Sequence, residues 1–109
     1  MSQEKIQEMQ MFEQGLHSIL MQKQAFQMEL SETRAALKEI ESSGEEVFKI
    51  IGQLMIKSTK EKIVEELKNK EKLLEIRLKT LEKQELSLSD QLEGVRDEIL
   101  SQKKPEKKK

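Results

Sequence analysis

EEVFKIIGQLMIKSTKEK, residues 45–62, breaks the pattern of the chain around it. On either side the sequence is charged, rich in Gln and helical in its spacing. Here it turns β-branched and apolar around a glycine. The runs VFKII (47–51) and LMIKS (54–58) flank Gly52-Gln53. Two short β-forming runs around a two-residue loop that opens on Gly predict a β-hairpin with a type II′ turn. An irregular apolar connector is the competing reading. A lone two-stranded hairpin is marginal in water, and this one carries Val47, Phe48, Ile50, Ile51, Leu54, Met55 and Ile56. Its two open edges and both apolar faces would template aggregation unless something paired with them. Other hairpins are the simplest cover, so these residues are expected to join subunits into a closed sheet or barrel.

Outward from this stretch the spacing changes to that of helices. Alternating steps of three and four from Met9 reach Phe12, Leu16, Ile19, Lys23, Phe26, Leu30, Thr33, Leu37 and Ile40, a heptad seam broken only at Lys23 and Thr33. The second half repeats it through Val64, Leu67, Glu71, Leu74, Leu78, Leu81, Glu85, Leu88, Leu92, Val95 and Ile99. The fold class is therefore mainly α: two long antiparallel coiled-coil helices joined by a short β-hairpin. As one domain over 1–109, it is expected as a helix over 3–42, a hairpin over 46–58, a helix over 59–102 and a disordered basic tail over 103–109. Each helix would be about 60 Å long, with both termini at one tip. Gly44 in ESSGEE is placed to close the first helix in the left-handed conformation. Ser58 with Glu61 three residues on reads as a capping box opening the second.

Composition narrows the function classes. Charged residues make up 38% of the chain and aromatics 3%, too polar for a thick core and suited to a narrow seam. Twenty basic and 21 acidic residues are intermixed, so no global field draws the chain to nucleic acid or anionic membrane. Without cysteine there is neither a disulfide nor a thiolate metal site. MSQEKIQEMQMF lacks the apolar run of a signal peptide, and no stretch approaches the roughly 20 apolar residues of a membrane span, so a cytoplasmic location is expected. His17, the one histidine, falls on the solvent side of its helix without a second ligand. The carboxylates alternate with lysines, and no phosphate loop or nucleophile constellation is present. Neither an enzyme nor a metal or cofactor protein is expected.

The residues VFKIIGQLMIKSTKEKIVEEL (47–67) and LLEIRLKTLEKQE (73–85), with QKQ at 22–24 and LKEIE at 37–41, resemble the archaeal β-class subunit of the prefoldin (GimC) chaperone family. The likeness covers nearly the whole chain, and a single hairpin marks the β class over the α class. The resemblance implies an ATP-independent holdase in which two α-class and four β-class chains assemble on β-barrels. Its coiled-coil tips would bind unfolded proteins and transfer them to a group II chaperonin.

The expected client-binding residues are Ile6, Met9, Met11, Phe12, Leu92, Val95, Ile99 and Leu100, apolar groups gathered at the helix ends, where a seam frays. Met suits adaptable contacts; Met21 and Met28 are open between client binding and ordinary surface exposure. Ile63, Leu73 and Ile76 are expected against neighbouring subunits. Gly15 and Gly94 are open between softening the helices and tolerated surface glycines. The polar seam residues Lys23, Thr33, Glu71 and Glu85 read as register markers, with outward-snorkelling side chains as the alternative. The KKPEKKK tail serves solubility first and chaperonin docking second, with nucleic-acid binding a weak third. A structural adaptor tethering two fixed partners is the alternative to the chaperone, though an adaptor would gain nothing from a sticky hairpin.

Overall fold

The computed structural model describes residues 3–103. In chain order these form α1 (Gln3–Glu41), β1 (Glu46–Ile51), β2 (Leu54–Thr59) and α2 (Lys60–Lys103), two long helices with a two-stranded antiparallel hairpin between them. Lys103 closes α2 where the tail was expected to begin. From residue 104 onward the expected basic tail lies outside the described residues. The chain forms two compact units: a hairpin unit, Ala25–Lys79, and a helix-end unit of residues 3–24 and 80–103.

In the hairpin unit the strands pair from Glu46 with Thr59 to Ile51 with Leu54. The loop turns at Gly52, whose φ of 59° makes it the only described residue with left-handed backbone. A positive φ at the first loop residue and not the second defines the type II′ turn that matches strand twist. Gly44 does not share this conformation, contrary to expectation. Instead α1 ends by tightening. The amides of Ser42 and Ser43 donate to the carbonyls of Glu39 and Ile40, at 3.2 and 3.1 Å, and each serine hydroxyl donates to the same carbonyl. The orphan carbonyls of a helix end are thereby satisfied without a glycine cap.

The opening of α2 also differs from the capping box expected at Ser58. Ser58 remains in β2 opposite Val47, and the cap is Thr59, whose Oγ1 accepts the Lys62 amide at 3.2 Å. Thr59 is therefore both the last strand residue and the helix cap. Below the hairpin, Leu30, Leu74 and Leu78 pack with Phe26 into the unit's core, and the Arg77 guanidinium lies 5.7 Å from the Phe26 ring centroid. Thr33 is buried and donates its hydroxyl to the Glu29 carbonyl in its own helix, at 2.8 Å.

The helix-end unit has the same narrow construction. Ile19, Leu81, Leu92, Val95 and Ile99 are buried in its seam. Gly15 is a contact in this seam: a Cβ there would meet Leu88 Cδ2 at 2.7 Å, so the leucine packs over bare backbone. Gly94 has open space around it.

Candidate interaction surfaces

The side-chain alternation of the hairpin sorts it into two faces. Phe48, Ile50 and Met55 share one with Glu46 and Lys57; Val47, Ile51, Leu54 and Ile56 share the other with Lys49 and Ser58. The first face is open throughout, with Phe48 58% and Ile50 69% exposed. The second is half covered at its base, where the Lys49 ammonium donates to Glu66 Oε1 on α2 at 2.8 Å. Towards the turn Ile51 and Leu54 are again exposed. Burying one such side chain from water is worth about 1.5–3 kcal/mol, so this sheet carries a large unused driving force for association.

The joint beneath this surface was not anticipated in the sequence. The Lys60 amide donates to the Glu45 carbonyl at 3.1 Å, extending the strand ladder by one bond. Its ammonium donates to the carbonyls of Glu41 and Ser43, at 3.1 and 3.2 Å. One residue thus ties the start of α2 to the end of α1 and to the loop before β1. The available signal was a lysine at the foot of a strand, ready to meet the negative end of a helix.

At the helix ends the structure divides the expected client-binding residues. Met11 is 69% exposed, Leu100 is exposed, and Ile6, Met9 and Phe12 are half-buried. Leu92, Val95 and Ile99 are buried, which corrects the expectation of a frayed seam: the facing helices remain in register and close over them. Met21 and Met28 are exposed, as are Leu73 and Ile76; Ile63 is half-buried. His17 is exposed. Among the described residues no His, Cys, Asp or Glu cluster could hold a metal, and no helix is long and apolar enough to cross a membrane.

Three of the four polar seam residues, Lys23, Glu71 and Glu85, enter ion pairs between the helices. Lys23 donates to Glu85 at 2.8 Å, and this hydrogen bond raises the Lys23 ammonium above the ordinary lysine value. In the hairpin unit Arg34 grips Glu71 through Nε at 2.9 Å and Glu75 through Nη2 at 2.7 Å, which raises its value likewise. Lys5 pairs with Glu98, and Arg96 with Glu13. Glu71 thus finds its partner in Arg34, the residue next to Thr33.

Comparison with known proteins gives one consistent result. A family model described as Prefoldin subunit matches residues 3–105. Prefoldin subunit beta of Thermococcus kodakarensis is 41% identical over 100 residues, covering 90% of this chain and 86% of that protein. The Pyrococcus horikoshii protein of the same name is 36% identical over 96 residues, covering 86% and 82%. The crystal structure of the prefoldin beta subunit from Thermococcus strain KS-1 superposes with a TM-score of 0.86 at 40% identity, over 95% of this chain and 93% of that one.

Proposed function

Because this chain belongs to the prefoldin family, we propose that it is the β-class subunit of an ATP-independent holdase. The hairpin is its joint. Copies of this chain, with an α-class subunit, pair their strands into a barrel and bury the exposed rows that contain Phe48, Ile50, Leu54 and Met55. The stoichiometry proposed is two α-class chains with four of this one. The observation that carries the reading is an apolar sheet open on both edges in a chain whose helical seam is closed.

Unfolded proteins would be held near the helix ends through Met11 and Leu100, with the half-buried Ile6, Met9 and Phe12 beside them. Leu92, Val95 and Ile99 would contribute only where the helices part. Each contact is small, so holding would come from several subunits engaging one client. Release would follow competition from a group II chaperonin. The test is the native mass of the complex recovered from the protein's own cells, followed by aggregation suppression. A hexamer with a second coiled-coil subunit that keeps unfolded protein in solution is expected. A chain bound to one fixed partner, with no such activity, would overturn the proposal.

A further inference from the structure

In the hairpin unit the charges beside the seam are paired, and charges on the two outward sides are not. Glu29 pairs with Lys70, and Arg34 with Glu71 and Glu75, all between the helices. Outward on α1, Met28, Glu32, Ala35 and Glu39 follow at steps of four and three, which sets them on one face, with Lys38 at its border. Outward on α2, Lys62, Glu65, Asn69, Leu73 and Ile76 do the same. All of these residues are exposed, Met28 at 65%, Leu73 at 49% and Ile76 at 61%. Among the described residues none of Lys38, Glu39, Lys62 and Glu65 forms an ion pair. The two faces also match in height. Met28 sits between Phe26, whose ring faces Arg77, and Leu30, which packs with Leu74 and Leu78. Ile76 therefore lies level with Met28 on the other outward side. Nearer the hairpin, where the Lys60 ammonium reaches the Glu41 carbonyl, Lys38 and Glu39 are level with Lys62 and Glu65.

We infer that the outward face of α1 in one copy of this chain packs on the outward face of α2 in the next. The inference rests on the reading that copies are joined at their hairpins, and adds a helical contact beneath that joint. Neighbours standing the same way up bring α1 and α2 together antiparallel. Met28 then meets Ile76 and Leu73, Lys38 falls opposite Glu65, and Glu39 falls opposite Lys62. Ala35, at the centre of its face, sets only a methyl group against Asn69, so the axes can approach to the usual spacing of about 8–10 Å. The order of the charges selects this occupant. Two α1 faces in the same stance would run parallel and set Lys38 against Lys38 and Glu39 against Glu39; two α2 faces would do likewise with Lys62 and Glu65. The contact is head to tail, so each copy has one face for each neighbour.

The chain has no cysteine, which makes the contact readable by disulfide formation. The full chain carrying Met28→Cys with Ile76→Cys, purified with the subunits it assembles with, is oxidised in air with copper phenanthroline at high dilution. Within one chain the two sulfurs lie on opposite sides of the helix pair, too far apart for the Cα separation of about 5.5–6 Å that a disulfide prefers. A covalently joined pair of chains is expected on a non-reducing gel from the double variant, and from neither single variant. Adding Lys38→Glu with Glu39→Lys should slow the cross-link about threefold or more, as two exposed ion pairs become repulsive. Adding Lys62→Glu with Glu65→Lys to that chain should restore the rate to within about twofold, because both pairs are re-formed with their signs exchanged. No cross-link in a complex of unchanged native mass, cross-linking by a single variant, indifference to the first charge reversal, or no recovery with the second would overturn the inference and leave the hairpin joint standing. A wild-type chain that stays single in the presence of its partner subunit would overturn both.

Discussion

The hairpin and the helical seam are built from the same residue types in opposite states. Leu74 in the seam is 4% exposed and Leu54 in the hairpin is 65% exposed. The seam closes because its two halves lie in one chain at matching heptad spacing, so each leucine finds its cover when the helices come together. The hairpin cannot do this. Its strands pair with each other, which uses one edge of each and leaves two edges and most of both faces open. The lesson is that apolar content does not distinguish core from interface; what matters is whether the chain has a second surface of the same period to offer.

A charge in the hairpin tests the contrast most severely. Ile50→Lys lies on the open face, where this chain buries nothing against it, so helicity by circular dichroism should be unchanged. The native mass should fall from the assembled complex to small species. A complex that survives would locate the joint elsewhere. Leu74→Ala should do the reverse. It removes a core contact shared with Leu30 and Leu78 and should lower unfolding free energy by about 2–5 kcal/mol in urea titration. The exposed hairpin should keep its capacity to assemble at temperatures where the variant remains folded.

The two helix-end glycines sharpen the comparison within the seam. Gly94→Ala meets nothing and should stabilise by about 0.5–1 kcal/mol through helix propensity. Gly15→Ala gains the same propensity but must push Leu88 aside, so its midpoint in urea should rise less than that of Gly94→Ala, or fall. The smallest effect belongs to Lys23. Its pKa is raised in the folded protein, so the stabilisation it gives is present in full below the unfolded lysine value. That stabilisation is lost as pH rises through the folded value. The difference in melting temperature between wild type and Lys23→Met should therefore be constant from neutral to mildly alkaline pH and shrink above about pH 10.4, the ordinary lysine value.

Much of the fold was legible because it rests on local rules. The Gly52 turn follows from loop length and residue type, and the helices from their heptads. The helix ends were read less well because several residue types compete to satisfy the same orphan groups. Gly44 was available for a left-handed cap, but the hydroxyls of Ser42 and Ser43 with the Lys60 ammonium fill that role. Ser58 and Thr59 could each cap α2, and strand register decides between them. For the interaction surface, the hairpin residues proposed as the joint could be named from sequence, since two apolar faces on a lone hairpin have no other use. The state of Leu92, Val95 and Ile99 could not, because fraying depends on how well facing side chains mesh.

Thr59 gives the hairpin a built-in check on its own alignment. It pairs with Glu46 as the last rung of the ladder and accepts the Lys62 amide as the first cap of α2. If β2 slipped by one residue, Met55 would turn away from the face it shares with Phe48 and Ile50. The slip would also carry Thr59 off the helix start and leave an amide without its acceptor. An error that would otherwise concern only the outward-facing rows is thus felt at once by the longest helix in the molecule, and misaligned chains are disfavoured before they can meet a neighbour.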